Sequence, residues 1–491
     1  MNASGRRLAI AAIATLVALP RTASAHVGSP DVFLDAQAGP YRVLVTVRPP
    51  RVIPGVAGVE ILTSSTDVRE VRIVPMPLTG PGAQFAPAPD LATRSRDDPK
   101  LFTGQLWMMT AGAWQVRVAV DGSRGSGTVA VPVLTLPQAT LDMSPTLRAL
   151  LSGLMVLLCA GLVSIIAALG REAGLAAGET PGPRARRRGR IAGAIATLVV
   201  VAVVALGNWW WTAEASSYAR YVYKPLDVST AVMPDGRLTL AVRDPGWIPL
   251  RRTDDFVADH GHLMHLFIVS PALDRFWHLH PDETGNGAFE QRLPNVPRGE
   301  YELFVDVVHS TGISETVTGR FAASEILGSA LTGDDSAWSE PSSGVTSGVG
   351  MDAAPLPDHG RMVWVRDSRP LTVGQLTMFT FRVDDAAGRP ATDLELYMGM
   401  PGHAIFLSRD RRVFAHVHPS GSAPMAAMQI GERSLRGAAR APEQDHTHRG
   451  DSLPAVVSFP FGLPARGDYR IFVQVKRSGR IDTGAFDARV E

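Results

Sequence analysis

The sequence predicts a mainly β protein that crosses a membrane twice, and three observations support this prediction. Glycine (47 residues) and proline (37) are abundant while only 19% of the residues are charged, a composition that favours turn-rich β domains. The segments YRVLVTV at 41–47 and WQVRVAV at 114–120 alternate as half-buried strands do. Two apolar stretches are each long enough to span a bilayer. The length of 491 residues suggests roughly three domains.

Residues 1–25 are predicted to be a secretory signal peptide. Two arginines precede the apolar run Leu8–Leu19, and Ala23–Ala25 provides the small residues of a cleavage site. Cleavage there would make His26 the mature N-terminus, with an amine and an imidazole for copper. Since the next histidine is His260, a complete N-terminal copper site within this domain is not expected. We interpret His26 as a weak accessory ligand or a by-product of processing.

Residues 147–170 and 191–211 are predicted to be transmembrane helices. The loop at 171–190 carries six arginines, and the positive-inside rule therefore places it in the cytoplasm. Aromatic residues follow the second helix, as at a membrane interface: Trp209, Trp210, Trp211, Tyr218, Tyr221 and Tyr223. The soluble domains are then expected outside the cytoplasm, which agrees with the signal peptide.

Three β domains are expected in the soluble parts, at residues 26–140, 224–323 and 360–491, with a flexible linker at 324–359. The second and third share markers over about 100 residues, the size of an immunoglobulin-like sandwich. Gly299–Tyr301 of the second recurs as Gly467–Tyr469 of the third, and both resemble the start of a tyrosine corner. Gly112–Trp114 suggests that the first domain is a divergent copy, one that lacks the histidine phrase of the other two.

A histidine phrase occurs once in each of the two later domains. HLFIVSPALDRFWHLHP at 265–281 and HAIFLSRDRRVFAHVHP at 403–419 keep the spacing of three histidines and a proline. The His-x-His pair puts two rings on one face of a strand, and a hairpin would add the third from the neighbouring strand. Three imidazoles in that space can bind Cu(II) or Zn(II). The predicted metal ligands are His260, His262, His265, His278, His280, Met398, Met400, His403, His416 and His418.

Copper is the predicted metal, with zinc as the second choice. Aligning the two phrases places His260 opposite Met398 and His262 opposite Met400. Thioethers select Cu(I), whereas imidazoles serve Cu(II) and Zn(II). The only cysteine, Cys159, lies in the first membrane helix, so it supplies no thiolate to the soluble parts. A structural role for the histidines remains the alternative.

Enzymatic activity is not expected. HLHPD at 278–282 resembles the HxHxD core of metallo-β-lactamase-like hydrolases, but glutamate rather than histidine follows, and Ser420 replaces the aspartate in the second phrase. Nucleophile-elbow, P-loop and dinucleotide motifs are not found in a suitable context. The near balance of 48 basic and 47 acidic residues also argues against a nucleic-acid partner.

The segment DLELYMGMPGHAIFLSRDRRVFAHVHP at 393–419 resembles a phrase of YtkA-like and FixH-like extracytoplasmic bacterial proteins. That resemblance implies immunoglobulin-type β domains associated with copper handling, in the periplasm and anchored to the cytoplasmic membrane. It also implies a membrane-bound copper acceptor or a respiratory-complex component as partner. The expected function is copper binding, storage or delivery. A non-catalytic interaction or assembly protein of the cell envelope is the alternative.

Overall fold

The computed structural model describes residues 28–176, 178–247, 251–340, 352–436 and 453–491. The predicted signal peptide, His26 and the pair His446 and His448 lie outside these residues. The chain is 45% strand and 19% helix, with several antiparallel sheets and two long apolar helices. The predicted fold class is therefore confirmed.

Domain 1 is a sandwich of two antiparallel sheets. Its strands are β1 (Val32–Ala38), β2 (Tyr41–Arg48), β3 (Gly55–Thr63), β4 (Val68–Pro77), β5 (Asp90–Leu91), β6 (Thr93–Arg94), β7 (Leu101–Met108), β8 (Gly112–Gly122) and β9 (Gly125–Thr135). One sheet has the order β1-β2-β3-β7-β6 and the other β5-β4-β8-β9. A 3-10 turn at Pro81–Gln84 follows β4. Alternating residues such as Val43, Val45 and Val47 of β2 fill the core between the sheets.

Domain 2 has the immunoglobulin strand order. Its strands are β10 (Asp227–Val232), β11 (Arg237–Arg243), β12 (Met264–Val269), β13 (Arg275–Leu279), β14 (Asp282–Gly285), β15 (Ala288–Arg292), β16 (Gly299–Val308), β17 (Ser314–Ala323) and β18 (Ser336–Ser339). The sheets run β10-β11-β15-β14 and β17-β16-β12-β13-β18. Apart from β18, these are the A-B-E-D and G-F-C-C′ orders of an immunoglobulin-like sandwich.

Domain 3 repeats this plan with one replacement. Its strands are β19 (Ala353–Pro355), β20 (Arg361–Val365), β21 (Thr377–Asp384), β22 (Leu394–Glu395), β23 (His403–Ser408), β24 (Phe414–Val417), β25 (Val456–Phe461), β26 (Gly467–Arg477) and β27 (Arg480–Val490). One sheet is β19-β20-β21-β25; in the other, β26 pairs with β22, β23 and β27, and β23 with β24. A helix at Met425–Arg436 occupies the chain position that strand β14 has in domain 2.

The same corner contact opens one long strand in each domain. The Tyr301 hydroxyl donates to the Pro297 carbonyl at 2.8 Å, and the Tyr469 hydroxyl donates to Ala465 at 2.8 Å. In domain 1 the Trp114 indole nitrogen donates to the Thr110 carbonyl at 3.0 Å. All three bonds join residue i to residue i−4, which agrees with the expectation of three related copies.

Two helices join domain 1 to domain 2. Helix α1 (Pro145–Glu172) and helix α2 (Pro183–Ala219) have maximal mean hydropathies of 2.5 and 2.3 and are long and apolar enough to cross a membrane. They pack closely where their side chains are small: a Cβ added to Gly170 would lie only 2.7 Å from Cβ of Ala192. The two helices suggest membrane anchoring.

Domains 2 and 3 pack face to face through their G-F-C-C′ sheets. Phe276 stacks on Phe472 with ring centroids 4.4 Å apart, and Phe414 stacks on Phe304 at 4.5 Å. Since Phe276 corresponds to Phe414 and Phe304 to Phe472 in the repeats, the two domains exchange equivalent contacts, as subunits of a C2 dimer do. This packing also explains why every residue of β12 and β23 is buried.

Domain 1 lies against domain 3. The helix Met425–Arg436, named α3 here, contacts β9, and Gln115 donates a hydrogen bond to Ser434 of that helix at 3.0 Å. Phe33 of β1 meets Phe461 edge to face with centroids 5.6 Å apart. The three sandwiches therefore share one junction.

The segment 324–359, expected to be a flexible linker, contributes to both domains in its described part. Strand β18 pairs with β13 and so extends the sheet of domain 2 that carries the histidines. Strand β19 pairs with β20 of domain 3. The Ser/Gly/Pro-rich composition concealed these short strands, because each is held by its neighbour rather than by its own apolar pattern.

Candidate metal centre

Two matching turns bring the upstream residues of each phrase into place. In both turns the flanking residues exchange two backbone hydrogen bonds, Asp259 with His262 and Tyr397 with Met400. His260 and Met398 have φ values of 52° and 50°, and a glycine with positive φ follows each of them. Positive φ at two successive residues is the signature of a type I′ turn, which glycine favours at its second position. The sequence alignment that pairs His260 with Met398 is therefore matched by the backbone conformation, because the two residues occupy the same position of equivalent turns.

The predicted hairpins carry the other histidines on the face between domains 2 and 3. On β12 and β13, His265, His278 and His280 share this face with Phe267 and Phe276 because side chains alternate along a strand. The same alternation operates on β23 and β24. One half of the interface is therefore aromatic, and the other half collects eight imidazoles: His260, His262, His265, His278, His280, His403, His416 and His418.

Two groups of three histidines could hold a metal ion. The domain 2 trio consists of His265, His278 and His280, and the bridging trio consists of His260, His403 and His418. Within each trio the candidate ligand nitrogens all lie within 4.8 Å of one another. Nitrogens bound to one ion at 2.0–2.1 Å lie about 3.3 Å apart, so small side-chain adjustments would complete either site.

The bridging trio differs from the expected arrangement. The sequence predicted that each hairpin would assemble its own three rings, and domain 2 does so. In domain 3, His416 is not a member of the trio, and His260 of domain 2 completes the trio with His403 and His418. The Nε2 atoms of His260 and His418 are 3.1 Å apart.

Equivalent hydrogen bonds in domains 2 and 3 orient the rings of His265 and His403. Nδ1 of His265 is 3.1 Å from Nε2 of His278, matching the distance between His403 and His416. His265 Nε2 lies 3.0 Å from the carbonyl oxygen of Asp259. The equivalent distance from His403 to the Tyr397 carbonyl is 3.1 Å.

Carboxylates and an amide surround the cluster. His262 lies 3.2 Å from Asp334, and Nδ1 of His280 lies 3.0 Å from Asp335. Such partners orient metal-bound imidazoles in proteins. On the opposite strands, Nδ1 of His278 is 2.8 Å from the Gln474 oxygen. The equivalent His416–Asp306 distance is 3.6 Å.

Burial favours the neutral form of six rings in the cluster. Burial, followed by the charge of neighbouring histidines, lowers the pKa of His265, His278, His403, His416 and His418 well below the ordinary value. The same causes lower the pKa of His280 to about 3. Burial also raises the pKa of Asp306 to about 7. Neutral imidazoles have the free lone pairs that metal coordination needs.

Two buried nitrogens at equivalent positions are open. Within the described residues, Nε2 of His280 and Nδ1 of His418 have no hydrogen-bond partner. A buried polar atom without a partner is costly, and an unplaced ion is one explanation for it. Each trio therefore contains one orphaned ring nitrogen.

The two predicted methionine ligands lie beside the cluster. Met398 presents its carbonyl oxygen 2.9 Å from Nδ1 of His260, and Met400 is buried with 7% exposed. Their role as thioether ligands remains a prediction. A further histidine, His309, lies in a separate buried network with Asp255 and Glu315.

Sequence reasoning missed the surrounding polar residues. Asp334 and Asp335 were hidden in the predicted linker, and Asp259 precedes the first turn. Asp306 and Gln474 lie two residues after the paired phenylalanines of β16 and β26, so period-two alternation could have placed them on the histidine face.

Comparisons with known proteins give a partial match. The sequence profile of a family described as a domain of unknown function (DUF8832) matches residues 224–324 and 358–491, which form domains 2 and 3. No curated protein matches the sequence.

Solved structures resemble the chain only weakly. A tetra-tandem repeat from the extending region of a large adhesion protein is 9% identical with a TM-score of 0.16, covering 90% of this chain and 72% of that one. The D1–D4 ectodomain fragment of ICAM-5 is 10% identical with a TM-score of 0.16, covering 92% and 77%. A protein from Corynebacterium diphtheriae described as membrane anchored is 10% identical with a TM-score of 0.14, covering 94% and 95%. TM-scores this low do not indicate a shared overall fold or a shared function.

Fold and site together define a class. The chain is a protein of β sandwiches with two helices suited to a membrane and two groups of three histidines that could hold metal ions.

Proposed function

We propose that this protein is a membrane-anchored, extracytoplasmic copper-binding protein that holds two ions between domains 2 and 3 for storage or delivery. The observation that supports this most strongly is the convergence of eight imidazoles on one buried interface, six of which form two trios. Each trio has an all-imidazole donor set, which suits Cu(II) and Zn(II).

Three features favour metal binding over a purely structural cluster. Burial lowers the pKa of six of the rings, one nitrogen in each trio is orphaned, and carboxylates flank His262 and His280. Burying six to eight imidazoles as a packing device would be unusual, because apolar side chains fill such space without needing hydrogen bonds.

Copper is favoured over zinc by the methionines. Met398 and Met400 occupy the turn that matches His260 and His262, next to the bridging trio. A site that offers both imidazole and thioether accepts both oxidation states of copper, whereas zinc has little affinity for thioether. A membrane-bound acceptor or a respiratory-complex component outside the cytoplasm is the proposed recipient.

The test measures metal content of the full-length protein in detergent. Purified apo protein is titrated with Cu(II), with Cu(I) under a reducing buffer, and with Zn(II), followed by elemental analysis. We expect two Cu per chain. The pair His278→Ala and His280→Ala should remove one ion, and the pair His403→Ala and His418→Ala should remove the other. His359→Asn is the control, because His359 is exposed, has a φ of 63° that asparagine tolerates, and lies outside both trios.

Two outcomes would contradict the proposal. Unchanged stoichiometry and affinity in both double variants would place the metal elsewhere. Two zinc ions held more tightly than copper in either oxidation state would overturn the metal assignment.

A second candidate function is an interaction or assembly protein in which the histidines are structural. It is favoured by the ring-to-ring hydrogen bonds, such as His265 to His278 at 3.1 Å, which satisfy the rings without an ion. In that case, metal would leave the thermal unfolding midpoint unchanged. Under the copper proposal, binding should raise the midpoint, because ions bind only the folded arrangement.

A further inference from the structure

A cavity of about 150 Å³ lies where the three sandwiches meet. Its inner wall contains His265, His416 and His418. Its outer wall comes from domain 1, including Gln138 in the connection to α1. The cavity therefore joins the histidine cluster to the surface at the junction with domain 1.

The charged groups that line the cavity are mainly acidic. Four carboxylates line it, Asp31, Asp259, Asp306 and Glu315, against a single arginine, Arg51. A concave surface of one charge sign, enclosed by protein, concentrates ions of the opposite charge. The lining therefore favours a cation.

Two of these carboxylates are not neutralised by arginine or lysine among the described residues. Glu315 is paired with Arg251 at 3.1 Å, and Asp31 lies 3.6 Å from Arg48. Asp259 instead accepts a hydrogen bond from the backbone of Ala426 at 2.7 Å and lies 4.0 Å from His260.

Asp306 is the second unpaired carboxylate. Its Oδ1 accepts a hydrogen bond from the Thr316 hydroxyl at 2.6 Å. Its Oδ2 lies 3.6 Å from Nδ1 of His416, so that oxygen faces the histidines.

An orphaned nitrogen points to a ligand in the same place. His418 lines the cavity and is 2% exposed, and its Nδ1 has no hydrogen-bond partner among the described residues. Unlike the acidic lining, this nitrogen is a donor atom that an incoming metal ion could bind at once.

The opposite side of the cluster is closed. Asp306 corresponds to Gln474 in the repeat, and Gln474 is fully buried. Its amide contacts His278 at 2.8 Å and donates to Ser336 of β18 at 2.6 Å. Strand β18 therefore covers the domain 2 trio, and domain 3 has no equivalent strand among its described residues. On the cavity side, each trio has one member in the wall, His265 for the domain 2 trio and His418 for the bridging trio.

We infer that this cavity is the access chamber of the metal centre, in which Asp259 and Asp306 attract a hydrated divalent cation and pass it to His418 and His416. The inference rests on the proposed metal binding and adds the route. Since each trio has one member in the cavity wall, the ion would reach the bridging trio through His418 and the domain 2 trio through His265.

The experiment measures loading rates of the full-length apo protein in detergent by stopped flow. Cu(II) alone is the probe, followed by quenching of tryptophan fluorescence. The variants Asp259→Asn and Asp306→Asn keep the oxygens that accept the bonds from Ala426 and Thr316. We expect the double variant to load about tenfold more slowly and to lose most of the salt dependence of the association rate. The matched control is Asp282→Asn, an exposed carboxylate on β14 outside the cavity.

A second measurement blocks the chamber without changing its charge. In a Cys159→Ala background, Gln138→Cys carrying a bulky maleimide should slow both loading and release more than tenfold. The same label at Ser126→Cys, an exposed position in the hairpin between β8 and β9, should leave both rates unchanged.

The outcomes separate the route from the site. Unchanged rates in the acidic double variant and in the Gln138-labelled protein would overturn the access chamber while leaving metal binding intact. Faster release at an unchanged association rate would make Asp259 and Asp306 ligands of the bound ion instead. If wild-type protein binds no metal at either trio, the proposed function fails, and the chamber fails with it.

Discussion

The two copies of the histidine phrase have the same spacing but form different halves of one centre. Domain 2 assembles a complete trio from its own hairpin and also sends His260 across the interface. Domain 3 has Met398 at that position and depends on His260. The two equivalent scaffolds therefore differ at a few positions, which leave one trio self-contained in domain 2 and the other shared between the domains.

The elements packed around the two histidine phrases differ as well. Domain 2 carries strand β14 where domain 3 carries helix α3, which packs on domain 1. Strand β18 pairs with β13 beside the domain 2 histidines, whereas the cavity is lined by His416 and His418 of domain 3 and by His265 of domain 2. Equal ligand spacing therefore does not produce equal sites. The elements packed around each phrase determine how its site is reached and which residue supplies the third ligand.

Acid should have the largest effect, and both copies should contribute to it. The folded pKa values of six cluster histidines lie below the unfolded value, so below about pH 6.5 the unfolded chain binds protons that the folded protein does not. Stability should then fall as pH decreases, by on the order of 1 kcal/mol per pH unit for each histidine. The raised pKa values of Asp259, Asp306 and Asp335 oppose this, because on acidification the folded protein binds protons at those groups at a higher pH than the unfolded chain does.

The thermal unfolding midpoint of the apo protein in chelator, measured from pH 8 to pH 5, checks this sign. The midpoint should drop below pH 6.5. His280→Phe and His418→Phe should flatten the drop to similar extents, if the two copies contribute equally. A midpoint that stays level down to pH 5.5 would show that the cluster is not buried as described.

Removing one aromatic pair should have the next largest effect. Phe472→Ala leaves a cavity opposite Phe276 and should destabilise the protein by about 3–5 kcal/mol. Phe304→Ala, which removes the equivalent pair with Phe414, should cost a similar amount. Thermal unfolding of both variants checks this, and a difference above about 2 kcal/mol between them would break the equivalence of the two halves.

His260→Ala should sharpen the difference between the trios. It removes one of three ligands from the bridging trio and should weaken metal binding there about a hundredfold, while the domain 2 trio keeps its affinity. The estimate follows from the effect of removing a hydrogen-bond partner of a metal ligand, which alone typically changes affinity 10–100-fold. Copper titration of the full-length protein measures both sites. The matched control is His359→Asn, an exposed histidine outside both trios. Equal weakening of both sites by His260→Ala would mean that the trios act as one unit.

The smallest expected effect concerns the corners. Tyr301→Phe and Tyr469→Phe each remove one hydrogen bond to a backbone carbonyl and should cost about 1 kcal/mol. Similar decreases in the unfolding midpoint would support equivalent corners. An unaffected midpoint in both variants would show that the contact contributes nothing to stability.

Much of the fold could be predicted because it depends on local patterns. The run of alternating residues at 41–47 became β2, and the apolar stretches became α1 and α2. The Gly-acid-Tyr steps became two corners, and the three-histidine spacing of domain 2 became one trio. In each case the interacting groups lie on one strand, one turn or one hairpin.

The rest depended on packing between distant parts of the chain. The partnership of His260 with His403 and His418, the closure by β18, and the chamber lined by Asp259 and Asp306 all join residues from different sandwiches or from a segment without an apolar pattern. Periodicity along one strand shows which face a side chain takes, and it contains no information about what that face meets. The sequence by itself therefore determined the ligand types and their scaffolds. Only the tertiary structure decided how they are shared, because the aromatic contacts between domains 2 and 3 determine which histidines meet.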